Sequence, residues 1–175
     1  ALPGVPMYRR KLGVDEVRRR IELYHAPYRR VLAETIERTR QRHGIAWHFN
    51  CHSMKSRGNA MNRDRGAMRP DFVIGDRGGE TAPPRVTAWV AEFFSRRGYR
   101  VTINDPYRGA DIVKAHGDPA RGVCSIQIEI NRALYMDEAT CVRNSGFAQV
   151  RAELAELARA AAVQVSSMAP RKVSS

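Results

Sequence analysis

Residues 125–131 constrain the fold of this chain more than any other stretch. Ile126, Ile128 and Ile130 alternate there with Gln127, Glu129 and Asn131. A period of two marks a β-strand, whose successive side chains leave opposite faces. One face of this strand is wholly apolar and has to be covered by another layer. The other carries two amides and a carboxylate. On a one-sided, solvated strand that polar face needs no explanation. In an interior strand the carboxylate must be paired or put to use, because burying a lone charge is costly. Glu129 is therefore the first candidate for chemistry.

The rest of the chain alternates helical and extended patterns. Val14, Val17, Ile21, Tyr24, Tyr28, Val31 and Thr35 recur at spacings of three and four, one face of a helix over residues 14–43. Pro27 predicts a kink or two abutting helices, and Gly44 a stop. Residues 45–51 read as a strand. Ile45, Trp47, Phe49 and Cys51 share one face; Ala46, His48, Asn50 and, if the strand runs on, His52 share the other. Residues 53–70 read as a long loop carrying Lys55, Arg57, Arg63, Arg65 and Arg69. A short strand at 72–74 precedes a helix opened by Pro83 and Pro84 and striped by Val86, Trp89, Val90, Phe93 and Phe94. Residues 100–104 form another strand, followed by the turn-rich Asp105-Pro106-Tyr107-Arg108-Gly109. Phe147, Val150, Leu154, Leu157 and Ala161 mark a last helix. These elements predict an α/β three-layer sandwich around a mixed, largely parallel sheet, with one domain over residues 1–165 and a loose polar tail over 166–175.

The charge is strongly positive: 30 Lys and Arg against 18 Asp and Glu, net +12 over 175 residues. That raises a nucleic-acid module as an alternative. The basic residues are dispersed, however. Only Arg18, Arg19 and Arg20 run together, and the aromatics fall on apolar faces, so no nucleic-acid partner is expected. No apolar run approaches the roughly 20 residues of a membrane span, and the N-terminus lacks a secretory apolar core. Three cysteines without a C-x-x-C pair suggest no disulfide framework and fit a reducing, cytoplasmic setting. The oligomeric state is not legible.

His52 falls at the carboxyl end of a strand, where open α/β sheets place ligands. Histidine binds zinc through a neutral ring nitrogen, and Asn50 on the same face could orient it. A plain hydrogen-bonded surface histidine fits the position equally well. Cys51 is poorly placed as a nucleophile for His52, because neighbours in a strand point apart.

Together these pieces resemble the N-formylglutamate amidohydrolase family. The matching segments are Asn50-Cys51-His52-Ser53-Met54, the run from Arg69-Pro70-Asp71 to Gly75-Asp76-Arg77, Asn104-Asp105-Pro106-Tyr107-Arg108-Gly109, and the run from Gln127-Ile128-Glu129 to Met136-Asp137-Glu138. The tyrosine-bearing residues 24–28 add to them. The resemblance implies a fold similar to the zinc carboxypeptidases, with His52 as a ligand of one zinc ion and Glu129 as the catalytic base. It implies a small dicarboxylate substrate, N-formyl-L-glutamate, cleaved to formate and L-glutamate. Arg69, Arg77 and Arg108 are then candidates for gripping substrate carboxylates, and Asn50 and Asn131 for supporting the ligand and the base. Two departures stand out. Asn50 occupies the place where the family usually has Asp, and no His-x-x-Glu pair precedes His52. The chain is thus expected to begin partway into the family domain, with the remaining zinc ligands in a missing N-terminal part, and to be inactive alone. A hydrolase-like fold that has lost catalysis is the other alternative.

Overall fold

The computed structural model describes residues 6–59, 64 and 66–168; Arg63, Arg65 and residues 169–175 lie outside them. Helix α1 (Val14–Arg20) runs through a five-residue π segment (Ile21–His25) into α2 (Ala26–His43). The proline does not break this helix. Pro27 sits in the first turn of α2, where a missing N–H removes little, and the π turn just before it absorbs the mismatch. Gly44, at φ 77°, ends α2 in the left-handed conformation.

Then follow β1 (Ala46–Met54), β2 (Phe72–Gly75), α3 (Pro84–Ser95), β3 (Val101–Ile103), α4 (Asp111–His116), β4 (Val123–Asn131) and α5 (Phe147–Met168). The sheet order is β1-β4-β2-β3. β1 and β4 are parallel, as are β2 and β3, while β2 runs antiparallel to β4. The sheet is mixed and mostly parallel, with helices on both sides. All nine residues of β4 are buried, so Glu129 does lie in an interior strand.

The isoleucine face of β4 packs on α3 and α5. Phe72, Ile74, Val86, Val90, Phe94, Ile126, Ile128 and Leu157 form the centre of one core. Phe72 stacks on Phe94 with ring centroids 3.9 Å apart. Burying such side chains contributes about 1.5–3 kcal/mol each. The polar face of β4 looks toward α4, which an ion pair between Asp111 and Arg29 ties to α2.

Two expectations change. Helix α5 continues through Ser166 and Ser167 to Met168, into the stretch read as a loose tail; the two serine hydroxyls bond to the Ala162 and Gln164 carbonyls and so fit a helix. The periodic face of residues 14–31 exists, yet it is not a core face: Val14, Ile21, Tyr24, Tyr28 and Val31 are exposed.

Candidate active site

β1 extends to Met54, three residues past the expected end at Cys51. In the β1/β4 register, His48 pairs with Ser125, Asn50 with Gln127 and His52 with Glu129. Paired residues in neighbouring strands share a face, so the polar side of β4 and the histidine side of β1 form one surface. Cys51 pairs with Ile128 on the opposite face, away from His52. Burial pushes the Cys124 thiol up to about 11, which leaves it protonated and a weak nucleophile.

At the carboxyl ends of the two strands, His52 Nδ1 lies 3.9 Å from Glu129 Oε1. The Glu129 side chain is 9% exposed and that of His52 43%. Among the described residues no Lys or Arg forms an ion pair with Glu129; its hydrogen bond comes from Gln127 Nε2 at 2.8 Å. Burial raises its carboxyl above the ordinary glutamate range. The nearby His52, the Gln127 amide, Arg69 and Arg132 pull the other way without cancelling that rise. A buried carboxylate without a Lys or Arg ion pair, facing a histidine at a strand end, is the pattern of a working group.

Both neighbours of this pair are held. Gln127 Oε1 accepts from the backbone N–H of Ala110 at 2.9 Å, which leaves its NH2 to face Glu129. Asn50 Nδ2 lies 2.9 Å from His52 Nε2, so in this orientation the amide donates to Nε2 and the ring proton sits on Nδ1, toward Glu129. The two ends of an amide are assigned by their surroundings. With the Asn50 oxygen turned to Nε2–H, the Nδ1 lone pair is free on the side of Glu129, the tautomer a metal ligand needs. An aspartate would impose that tautomer, since it can only accept; Asn50 permits it.

Asn131 is committed elsewhere. Its amide donates to the Arg69 and Pro70 carbonyls and its oxygen accepts from Ala133 N, so it fastens the 69–70 loop beside the site. The three arginines also have partners within the chain. Arg69 is 4% exposed, paired with Asp64 at 2.6 Å through Nε and lying over the Tyr107 ring. Arg77 pairs with Glu80 and reaches the Gly109 carbonyl. Arg108 donates to the Arg77 carbonyl. The 104–109 loop presses on β2 so closely that a Cβ at Gly75 would meet Gly109 N at 2.7 Å, and one at Gly109 would meet Val113 at 2.8 Å.

Two supporting residues were not singled out from the sequence. Gln127 stood there only as a polar neighbour of Glu129, and its double role needs the fold to bring Ala110 to it. Asp76 anchors the turn after β2: it accepts from Gly78 N, Gly79 N, Asn104 Nδ2 and Thr87 Oγ1 at 2.6–3.0 Å. Behind the site, His48 Nδ1 lies 2.8 Å from Ser125 Oγ.

For a metal, the donor chemistry of His52 suits zinc as one ligand. Among the described residues no group of three His, Cys, Asp or Glu side chains could hold a metal ion, so they do not close such a site by themselves. No described helix is long and apolar enough to cross a membrane.

A model of the N-formylglutamate amidohydrolase family matches residues 1–136. N-formylglutamate deformylase of Pseudomonas aeruginosa is 31% identical over 160 residues, covering 90% of this chain and 57% of that protein. The Pseudomonas putida protein of the same name is 28% identical over 141 residues, 77% of this chain and 51% of the relative. The crystal structure of N-formylglutamate amidohydrolase from Ralstonia eutropha JMP134 superposes with a TM-score of 0.83 at 43% identity, over 91% of this chain and 57% of that one. The chain thus spans about half the length of the curated relatives it matches.

Proposed function

Because the chain belongs to the N-formylglutamate amidohydrolase family, we propose that it carries the general-base part of a site hydrolysing an N-acyl amino acid, N-formyl-L-glutamate to formate and L-glutamate. The observation that carries this reading is the meeting of His52 Nδ1 and Glu129 Oε1 at 3.9 Å on two parallel strand ends. The names of the relatives supply the substrate.

Glu129 is the base. A carboxyl raised by burial binds a proton more firmly than an exposed one, which suits it to take a proton from water and return it to the leaving amine. Gln127 donates to Oε1, the oxygen that lies 3.9 Å from His52 Nδ1, and so holds the carboxylate toward His52. His52 would hold one coordination position of a single zinc ion, in the tautomer that Asn50 permits when its amide oxygen faces Nε2. Bound zinc would polarise the formyl carbonyl and lower the pKa of water. Its other ligands come from outside the described residues, so this chain alone is expected to bind zinc weakly and to turn over little. With its cysteines free, the protein fits a reducing cytoplasm.

The test joins this chain to the part of the Ralstonia eutropha relative that has no counterpart in it. Zinc-dependent formate release from N-formyl-L-glutamate by the joined protein, and not by either part, supports the proposal. A joined protein that folds and binds zinc yet releases no formate contradicts it.

A further inference from the structure

We propose that His48 and His116 form an acid-sensitive latch behind the site: neutral, they let α4 lie on the sheet and so help hold Glu129; protonated, they release it. This goes beyond the hydrolase reading and needs neither zinc nor substrate. His48 pairs in register with Ser125 on the polar face of the sheet, and His116 is the last residue of α4. Their rings meet edge to face, with centroids 6.4 Å apart and planes at 84°. Both residues are half-buried. His48 Nδ1 lies 2.8 Å from Ser125 Oγ. His116 Nε2 is buried and has no hydrogen-bond partner among the described residues, so a proton added there would find no acceptor in the protein.

The charges around the pair disfavour a second cation. From α2 comes Arg29, paired with Asp111 of α4 and with its Nη1 buried and unbonded among the described residues. Asp111 is thus already engaged. On this face β1 and β4 present Asn50, Ser125 and Gln127, all uncharged. Lys114 of α4 is exposed, and Asp118 beyond it accepts from Arg121 N. A histidinium at either position would stand beside Arg29 or beside its partner ring. Burial pulls both histidines down, helped at His48 by His116 and at His116 by Arg29; Asp111 opposes this without cancelling it. The docked state therefore binds fewer protons than the open one. Its stability is present above the ordinary histidine value of about 6.5 and is lost as pH falls below it. The site feels this through Ala110, the residue before α4. Its N–H holds Gln127 Oε1 at 2.9 Å, and Gln127 holds Glu129 at 2.8 Å.

The experiment uses this chain as it is and needs no turnover. Hydrogen exchange, corrected for the intrinsic pH dependence of exchange, is followed by NMR from pH 7.5 to 5. The reporters are the amides of Ala110, Lys114 and Gly117, whose hydrogen bonds belong to the docked α4, with Ile126 and Ile128 of β4 as the core reference. The expected result is protection at the α4 amides falling about tenfold or more while the β4 amides keep theirs. In the double variant His48→Gln, His116→Gln that fall should vanish. The two ring signals, assigned by their loss in the single variants, should titrate below the ordinary histidine value in wild type, which decides the matter even where the double variant does not fold. Constant α4 protection across the range, an equal fall in the folded double variant, or loss at α4 and β4 together overturns the proposal. So do rings that titrate at or above the ordinary value with α4 still protected.

Discussion

Gln127 grips Glu129 with an amide that has only one useful orientation. Its oxygen takes the Ala110 N–H at 2.9 Å, so its nitrogen must give the 2.8 Å hydrogen bond to Glu129 Oε1. The carboxylate is thereby linked to the first residue before α4 and to the 104–109 loop that leads into it. Gln127→Leu keeps the volume but leaves a buried N–H and a carboxylate oxygen without partners. In the joined enzyme kcat should fall about tenfold to a hundredfold with a smaller change in KM. Steady-state kinetics with N-formyl-L-glutamate check this; a rise in KM alone would make Gln127 a substrate contact.

Arg69 is expected to behave as a structural residue. The residue is 4% exposed, and its guanidinium is paired with Asp64 and bonded to the Lys55 carbonyl. Arg69→Met should destabilise the fold by about 2–4 kcal/mol, since it leaves Asp64 without its cation. Urea denaturation of this chain measures it. Arg108→Ala, at an exposed position, should change stability by less than about 1 kcal/mol. A stable Arg69→Met variant with a selective loss of diacid binding would restore Arg69 as a substrate residue.

Two buried carboxyls should give opposite pH signatures. At Asp76 burial alone would raise the carboxyl, but hydrogen bonds from Thr87, Asn104, Gly79 and Gly78 outweigh it and hold it below the usual aspartate range. Its stabilising contribution is present above the unfolded aspartate pKa and is lost as pH falls through the folded one. At Glu129 burial wins and the carboxyl is raised, so its contribution is present at low pH and lost as pH rises through the folded pKa. Asp76→Asn should therefore cost stability mainly at neutral pH, by about 2–3 kcal/mol, as an amide N–H would face donors. Glu129→Gln should gain stability relative to wild type as pH rises from 4 to 7. Denaturation midpoints across that range decide both; parallel curves for wild type and Glu129→Gln would mean the Glu129 carboxyl is not raised.

Much of this site was legible because β-structure writes its geometry into alternation. The isoleucines of β4 and the His48, Asn50, His52 series of β1 each declare a face. What alternation leaves open is which strands are neighbours and in what register. The pairing of His52 with Glu129 depends on a parallel β1/β4 contact across 77 residues of chain. The engagement of Arg69 by Asp64, and of Gln127 by Ala110, arises from loops whose paths no periodicity encodes. The stripe from Val14 to Val31 shows the opposite limit: its helical period is real, but a period says which residues share a face and not what covers it. The zinc ligand set was an inference from resemblance, and that inference named only His52 within this chain.

The claim that Glu129 acts as base beside a metal-bound His52 is tested most directly by measuring zinc content and formate release on one preparation of the joined enzyme and of its Glu129→Gln variant. Glutamine keeps the shape and the Gln127 contact but cannot take the water proton. The account predicts equal zinc in both proteins and turnover lowered about 10²–10⁴-fold in the variant. Near-normal turnover would place the base elsewhere, and loss of zinc together with turnover would make Glu129 a ligand instead of a base.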